Sequence, residues 1–195
     1  ITARASNSSA INHGVAIGYN CSTTGSYQIQ VGGTAQTVYA YGAIQDRSDS
    51  RDKADIQTCD LGLDFINALQ PKKYKWDYRE DYAKDKFPHL ERENFDSDES
   101  YQNAIEQQYQ ARCAFFQNPV KDGSKIRSRY HYGLIADDLK STLEQLDIDF
   151  GGYQDHSING GMCVKSIGYI ELLAPLIKAV QELSAQVAAL EISPH

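Results

Sequence analysis

Arg47-Ser48-Asp49-Ser50-Arg51-Asp52-Lys53 is the stretch at which the chain changes material. Before it, Gly14, Gly18, Gly25, Gly32, Gly33 and Gly42 recur among Val, Ile, Thr and Tyr, and the short alternating runs between them read as strands joined by tight turns. After it, Ile56, Leu61, Leu63, Phe65, Ile66 and Leu69 supply an apolar helical face that should stop at Gln70-Pro71. Charge divides at the same place. Arg4 and Arg47 against Asp46 leave residues 1–47 at +1, so the chain total of −7 puts −8 on residues 48–195.

Within the first part, Val15-Ala16-Ile17-Gly18 and Ile29-Gln30-Val31-Gly32 look like two copies of one unit offset by 14 positions. Repetition at that scale predicts a solenoid or an intertwined trimeric shaft, with a Gly-rich β meander as the plainer alternative. So short a segment cannot enclose a core, and it needs partner chains or the domain that follows. The chain opens at Ile1 rather than at Met, from which a longer polypeptide upstream is expected.

Beyond Pro71, Lys73-Tyr74-Lys75-Trp76-Asp77-Tyr78 alternates polar and aromatic residues as a half-buried strand does. Residues 79–128 are rich in charge, Gln and Tyr, with a helix expected through Tyr101–Phe116 and an end near Asn118-Pro119. They read as a projecting arm or insertion, or alternatively as a surface loop. Tyr130–Leu134 is a short strand, Ala136–Leu146 a helix carrying Leu139, Leu143 and Leu146, and residues 151–161 are turn-rich. Tyr169, Leu173, Leu176, Val180, Leu183, Val187 and Leu190 then follow a 4-3 spacing, the seam of a coiled coil over residues 169–192. Leu173, Val180 and Val187 at a with Leu176, Leu183 and Leu190 at d lean toward two strands, so the seam alone does not specify a trimer. An amphipathic helix packed into its own subunit is the competing reading. Pro175 is tolerated if the regular helix begins near it.

Several function classes are disfavoured by composition. A net acidic chain with no basic stripe argues against nucleic acid as a partner. No apolar run approaches the roughly 20 residues of a bilayer span, and no basic start leads into an apolar leader, so no membrane partner is expected and assembly in cytosol is. Cys21, Cys59, Cys113 and Cys163 form no C-x-x-C pair and read as reduced, packed thiols, with no metal and no cofactor expected.

The opening stretch sets a hydroxyl, Ser48, five residues before an amine, Lys53. A serine attacks a carbonyl only if something takes its proton, and a neutral lysine amine can do so. Deprotonating an ordinary lysine at neutral pH costs about 4–5 kcal/mol. Burial on assembly is one source of that energy, which makes association a trigger. Spacing alone fits a plainer reading as well: Ser48 or Ser50 caps the next helix, its aspartates favour the first turn, and Arg51 and Lys53 are solvated.

Ser48-Asp49-Ser50-Arg51-Asp52-Lys53 resembles the Ser-Asp-x-Arg-x-Lys signature of the auto-processing intramolecular chaperones of phage tail spikes, tail fibres and neck appendages. Leu69-Gln70-Pro71-Lys72-Lys73-Tyr74-Lys75-Trp76 resembles that family's Leu-x-Pro-x-x-aromatic-x-Trp segment. His131-Tyr132-Gly133-Leu134-Ile135-Ala136-Asp137-Asp138 resembles its Gly-aliphatic-Ile-Ala-Gln-Glu block, with Asp137-Asp138 in place of Gln-Glu at an expected helix N-terminus. Gly168 through Leu183 resembles its closing helix.

The resemblance implies an α+β fold: the end of an intertwined trimeric β-shaft over 1–47, then a mixed α/β chaperone domain over 48–195 with a long C-terminal coiled-coil helix. It implies a homotrimer whose partner is the upstream shaft of the same polypeptide. That trimer would be made in the host bacterial cytoplasm, with the chaperone released after cleavage and the shaft left in the virion tail. Ser48 would be the nucleophile and Lys53 its base in a single turnover in cis, with Asp49 and Arg51 orienting the turn and the cut at Arg47–Ser48, or alternatively on the other side of Ser48. His131 is a candidate assistant, or alternatively a satisfied histidine beside a strand. The competing functions are a trimerisation module that never cuts and a receptor-binding tip using the Tyr-rich arm.

Overall fold

The computed structural model describes residues 3–4, 13–19, 21–159 and 161–192. Parts of the expected β segment (1–2, 5–12 and 20) and residue 160 of the turn-rich stretch lie outside the described residues. The fold is mixed α+β. Strands β1 (Ala3–Arg4), β2 (Val15–Ile17) and β3 (Ile29–Val31) are followed by α1 (Leu63–Ala68), β4 (Lys72–Lys75), α2 (Arg79–Lys86) and α3 (Asp98–Gln117). Then come β5 (Tyr130–Gly133), α4 (Ala136–Leu146), β6 (Tyr153–Asp155), β7 (Lys165–Ile167) and α5 (Leu173–Ile192). β1, β2 and β3 form one sheet in that order, while β4 pairs with β5 and β6 with β7. The chain packs as two units: Ile1–Val38, Lys73–His131 and Asp155–Lys165 make the first, and Tyr39–Lys72, Tyr132–Gln154 and Ser166–His195 the second.

In the first unit the two sequence copies lie side by side. β2 and β3 are parallel, with Val15 opposite Ile29, Ala16 opposite Gln30 and Ile17 opposite Val31, so the register equals the spacing of the repeat. Gly18 and Gly32 close the copies at φ 138° and 80°, and a Cβ built on Gly18 would stand 3.4 Å from the Gly32 Cα. Only glycine accepts such backbone at so close an approach. Ala16 points inward at 2 % exposure, while Val15, Ile17, Ile29 and Val31 stand in solvent.

Residues 79–128 fold about an aromatic core. α3 starts at a reciprocal cap between Ser97 and Ser100 with Asp98 and Glu99 in its first turn, and it ends at Asn118 before Pro119. Tyr109, Phe115 and Phe116 on α3 pack with Ala83 of α2 and with Met162. The Arg79 guanidinium donates to the carbonyls of Phe116 and Cys163 and lies over the Phe116 ring, 5.1 Å from its centre.

The second unit is built on Phe65, Leu139, Leu143 and Leu172, with Leu61, Ile66, Leu69, Leu134, Ile148 and Phe150 around them. The helix expected from Ile56 onward starts only at Leu63. Asp55 takes a left-handed φ of 50° and Gly62 a non-helical one, so the helix cannot propagate backward, and Ile56 remains exposed. α1 has no side-chain cap of its own at Gly62; the Leu63 N–H donates instead to Glu182 Oε2 of α5 at 2.8 Å. α4 carries Asp137 and Asp138 in its first turn, as expected for a carboxylate-tolerant helix start, and Lys72 reaches Asp138 at 3.7 Å.

Candidate active site

The site is the turn that joins the Gly-rich segment to the helical part. Asp49, in extended backbone, caps a single 3₁₀ turn over Ser50–Asp52 by accepting the Arg51 N–H at 2.9 Å. The cap role assigned to Ser48 or Ser50 on spacing therefore falls to Asp49. The Arg51 guanidinium grips the same carboxylate, Nε to Oδ1 at 3.0 Å and Nη2 to Oδ2 at 2.6 Å. These bonds, the guanidinium's first and the backbone N–H second, hold the Asp49 carboxyl below its ordinary range, and Asp49 raises Arg51 in return.

Lys53 ends the turn. Its N–H donates to the Ser50 carbonyl at 3.3 Å, and its extended backbone at φ −121° sends the side chain back along the turn. Lys53 Nζ lies 2.7 Å from Ser48 Oγ. Outside this pair, Arg47 Nε contacts Asp52 Oδ2 at 2.7 Å. Three side-chain pairs (49 with 51, 48 with 53, 47 with 52) thus close on one another around a single helical turn. Ser48 and Lys53 are both exposed in the single chain. A hydroxyl within hydrogen-bond reach of an amine is the arrangement a serine–lysine nucleophile requires.

Of the residues singled out in sequence, the turn brings together Arg47, Ser48, Asp49, Arg51 and Lys53. His131 belongs to the other unit, where its ring stacks on Tyr74 with centroids 6.1 Å apart and lies 6.0 Å from Trp76. Asp52, whose spacing marks it only as a first-turn acid, is a member of the site through Arg47. The alternation of arginine and aspartate around Ser48 is the signal that points to it.

The expected seam lies along α5. Leu173, Leu176, Val180, Leu183, Val187 and Leu190 are all at least 43 % exposed, and Tyr169 is half exposed while its Oη accepts the Leu134 N–H at 2.7 Å. The flank of the helix beside them, Pro175 and Ala179, is the buried part. The heptad side chains are therefore not what packs this helix into its own unit. Among the described residues no group of three His, Cys, Asp or Glu is arranged to hold a metal, and no helix is long and apolar enough to cross a membrane. The four cysteines are half-buried free thiols.

Residues 48–92 match the family model Peptidase_S74, chaperone of endosialidase. No curated protein and no solved structure matches the chain. The match begins at Ser48, the residue that opens the turn, and spans the Leu69–Trp76 segment that carries the second resemblance. From Ser48 to Arg92 the chain is thus similar to the Peptidase_S74 family, chaperone of endosialidase.

Proposed function

We propose that this chain is the C-terminal intramolecular chaperone of a phage tail fibre or spike, which holds three copies in register while the β-shaft folds and then cuts itself off at Ser48. The observation that carries the reading is the 2.7 Å contact between Lys53 Nζ and Ser48 Oγ, inside the segment matched to a peptidase and chaperone family.

In this mechanism association of the copies strips water from Lys53, whose neutral amine takes the Ser48 hydroxyl proton. Ser48 Oγ attacks the Arg47 carbonyl carbon, and the Lys53 ammonium returns the proton to the departing Ser48 nitrogen. The C–N bond breaks, leaving Arg47 esterified to Oγ and a free amine on Ser48. Water hydrolyses the ester, giving an Arg47 carboxylate and restoring the hydroxyl. One water is consumed and one peptide bond is lost.

Two further observations support the associated state. The α5 seam leaves six large aliphatic side chains in solvent, and β2 and β3 leave Val15, Ile17, Ile29 and Val31 there as well. Apolar rows of this kind mark interaction surfaces. The parallel stacking of the two copies, offset by 14 residues, fits the end of a longer repetitive shaft. Denaturing gels of the wild type, Ser48→Ala and Lys53→Met, under conditions where the chain associates, test the reading. The wild type should split and both variants remain whole. A wild type that associates and stays intact would leave a trimerisation module that never cuts.

A further inference from the structure

Lys53 has a carboxylate immediately before it, Asp52, and another four residues back, Asp49, yet its amine meets neither. Among the described residues no carboxylate lies within ion-pair distance of Lys53. Asp49 is taken by Arg51, and Asp52 by Arg47 at 2.7 Å. The charged groups along this exposed segment are Asp46, Arg47, Asp49, Arg51, Asp52 and Asp55, and the last has its Oδ1 on Gln57. The two acids that precede the amine, Asp49 and Asp52, are thus occupied by guanidinium groups.

A carboxylate in ion-pair contact with an ammonium stabilises its charged form and opposes loss of the proton. A neutral hydroxyl partner such as Ser48 Oγ favours the charged form less than a carboxylate does. We infer that Arg47 is a positioning residue for the cleavage, holding the Asp52 carboxylate off Lys53 so that the amine can serve as base. The inference rests on the self-cleaving reading above and goes beyond the Ser48–Lys53 pair.

Cutting also dismantles this arrangement. Arg47 contributes the carbonyl that is attacked, so it leaves with the upstream product. Asp52 then loses its partner and is free to engage the neighbouring ammonium. The act of cutting removes the group that kept the base available.

The test is the rate of self-cleavage of the full chain against pH, under associating conditions, for wild type, R47Q, R47K and R47Q/D52N. R47Q frees Asp52, and its midpoint should rise by about one pH unit, which is about tenfold slower cleavage at a fixed pH below the midpoint. R47K keeps the charge and should keep the midpoint. R47Q/D52N removes both charges and should return to within about twofold of wild type. A double variant as slow as R47Q, or an R47Q midpoint that does not move while the wild type cuts, overturns the inference and leaves the self-cleaving reading standing. A wild type uncut at every pH overturns both.

Discussion

α4 and α5 are both helices of the second unit, both carry leucines at helical spacing, and they dispose of them in opposite ways. Leu139 and Leu143 of α4 are 2 % and 7 % exposed, closing on Phe65 and Leu172. The heptad side chains of α5 face solvent, while the helix is fixed by its small face, Pro175 and Ala179, and by Glu182 on the α1 N-terminus. The lesson is that periodicity announces an apolar face without saying whose core it completes. In α4 the core is the unit's own; in α5 we take it to be made with further copies of the chain.

The sharpest way to break this contrast is Leu139→Ala. Truncating a fully buried leucine costs about 2–5 kcal/mol, and denaturant unfolding of the dilute chain should lose that much. Leu183→Ala should leave the same unfolding curve nearly unmoved, within about 0.5 kcal/mol, yet shift sedimentation of the concentrated chain toward single copies. Equal destabilisation by the two substitutions would mean that α5 completes its own unit's core after all.

A smaller effect belongs to Glu182. The Leu63 N–H first, and Lys178 second, hold its carboxyl below the ordinary glutamate range. A carboxyl depressed on folding stabilises the fold above its unfolded value and ceases to do so as pH falls through the folded one. Wild type should therefore melt higher than Glu182→Gln at pH 7, and the difference should begin to shrink as pH falls past about 4.3, the unfolded glutamate value, and vanish only below the depressed folded one. Gly62→Ala acts on the same bond. A Cβ there would lie 2.2 Å from Glu182 Oε2, so the carboxylate must swing away and α1 loses its cap. Its thermal midpoint should fall by less than that of Leu139→Ala and by no more than the Glu182→Gln drop measured at pH 7.

Much of this was legible in the residues. α4 runs from Ala136 to Leu146 as its leucine spacing predicts, β4 falls on the alternation around Tyr74, and the offset of the Gly-rich copies is the register in which they pair. What could not be read was set by contacts distant in sequence or by competition among neighbours. Glu182 caps a helix 119 residues earlier, and no local pattern announces that. In the turn, three serine or aspartate side chains could have capped the 3₁₀ helix; Asp49 wins because Arg51 fixes it from both backbone and side chain, leaving Ser48 Oγ to Lys53. α1 begins late because Gly62 leaves helical backbone, a local conformation that hydrophobic spacing does not register.

The most direct measurement is the rate at which freshly prepared chain splits as a function of its own concentration, with the new N-terminus identified by sequencing. Our account requires little or no splitting in dilute solution, a rate that climbs steeply with concentration, and a product that starts at Ser48. A rate independent of concentration, or a product starting at another residue, would contradict it.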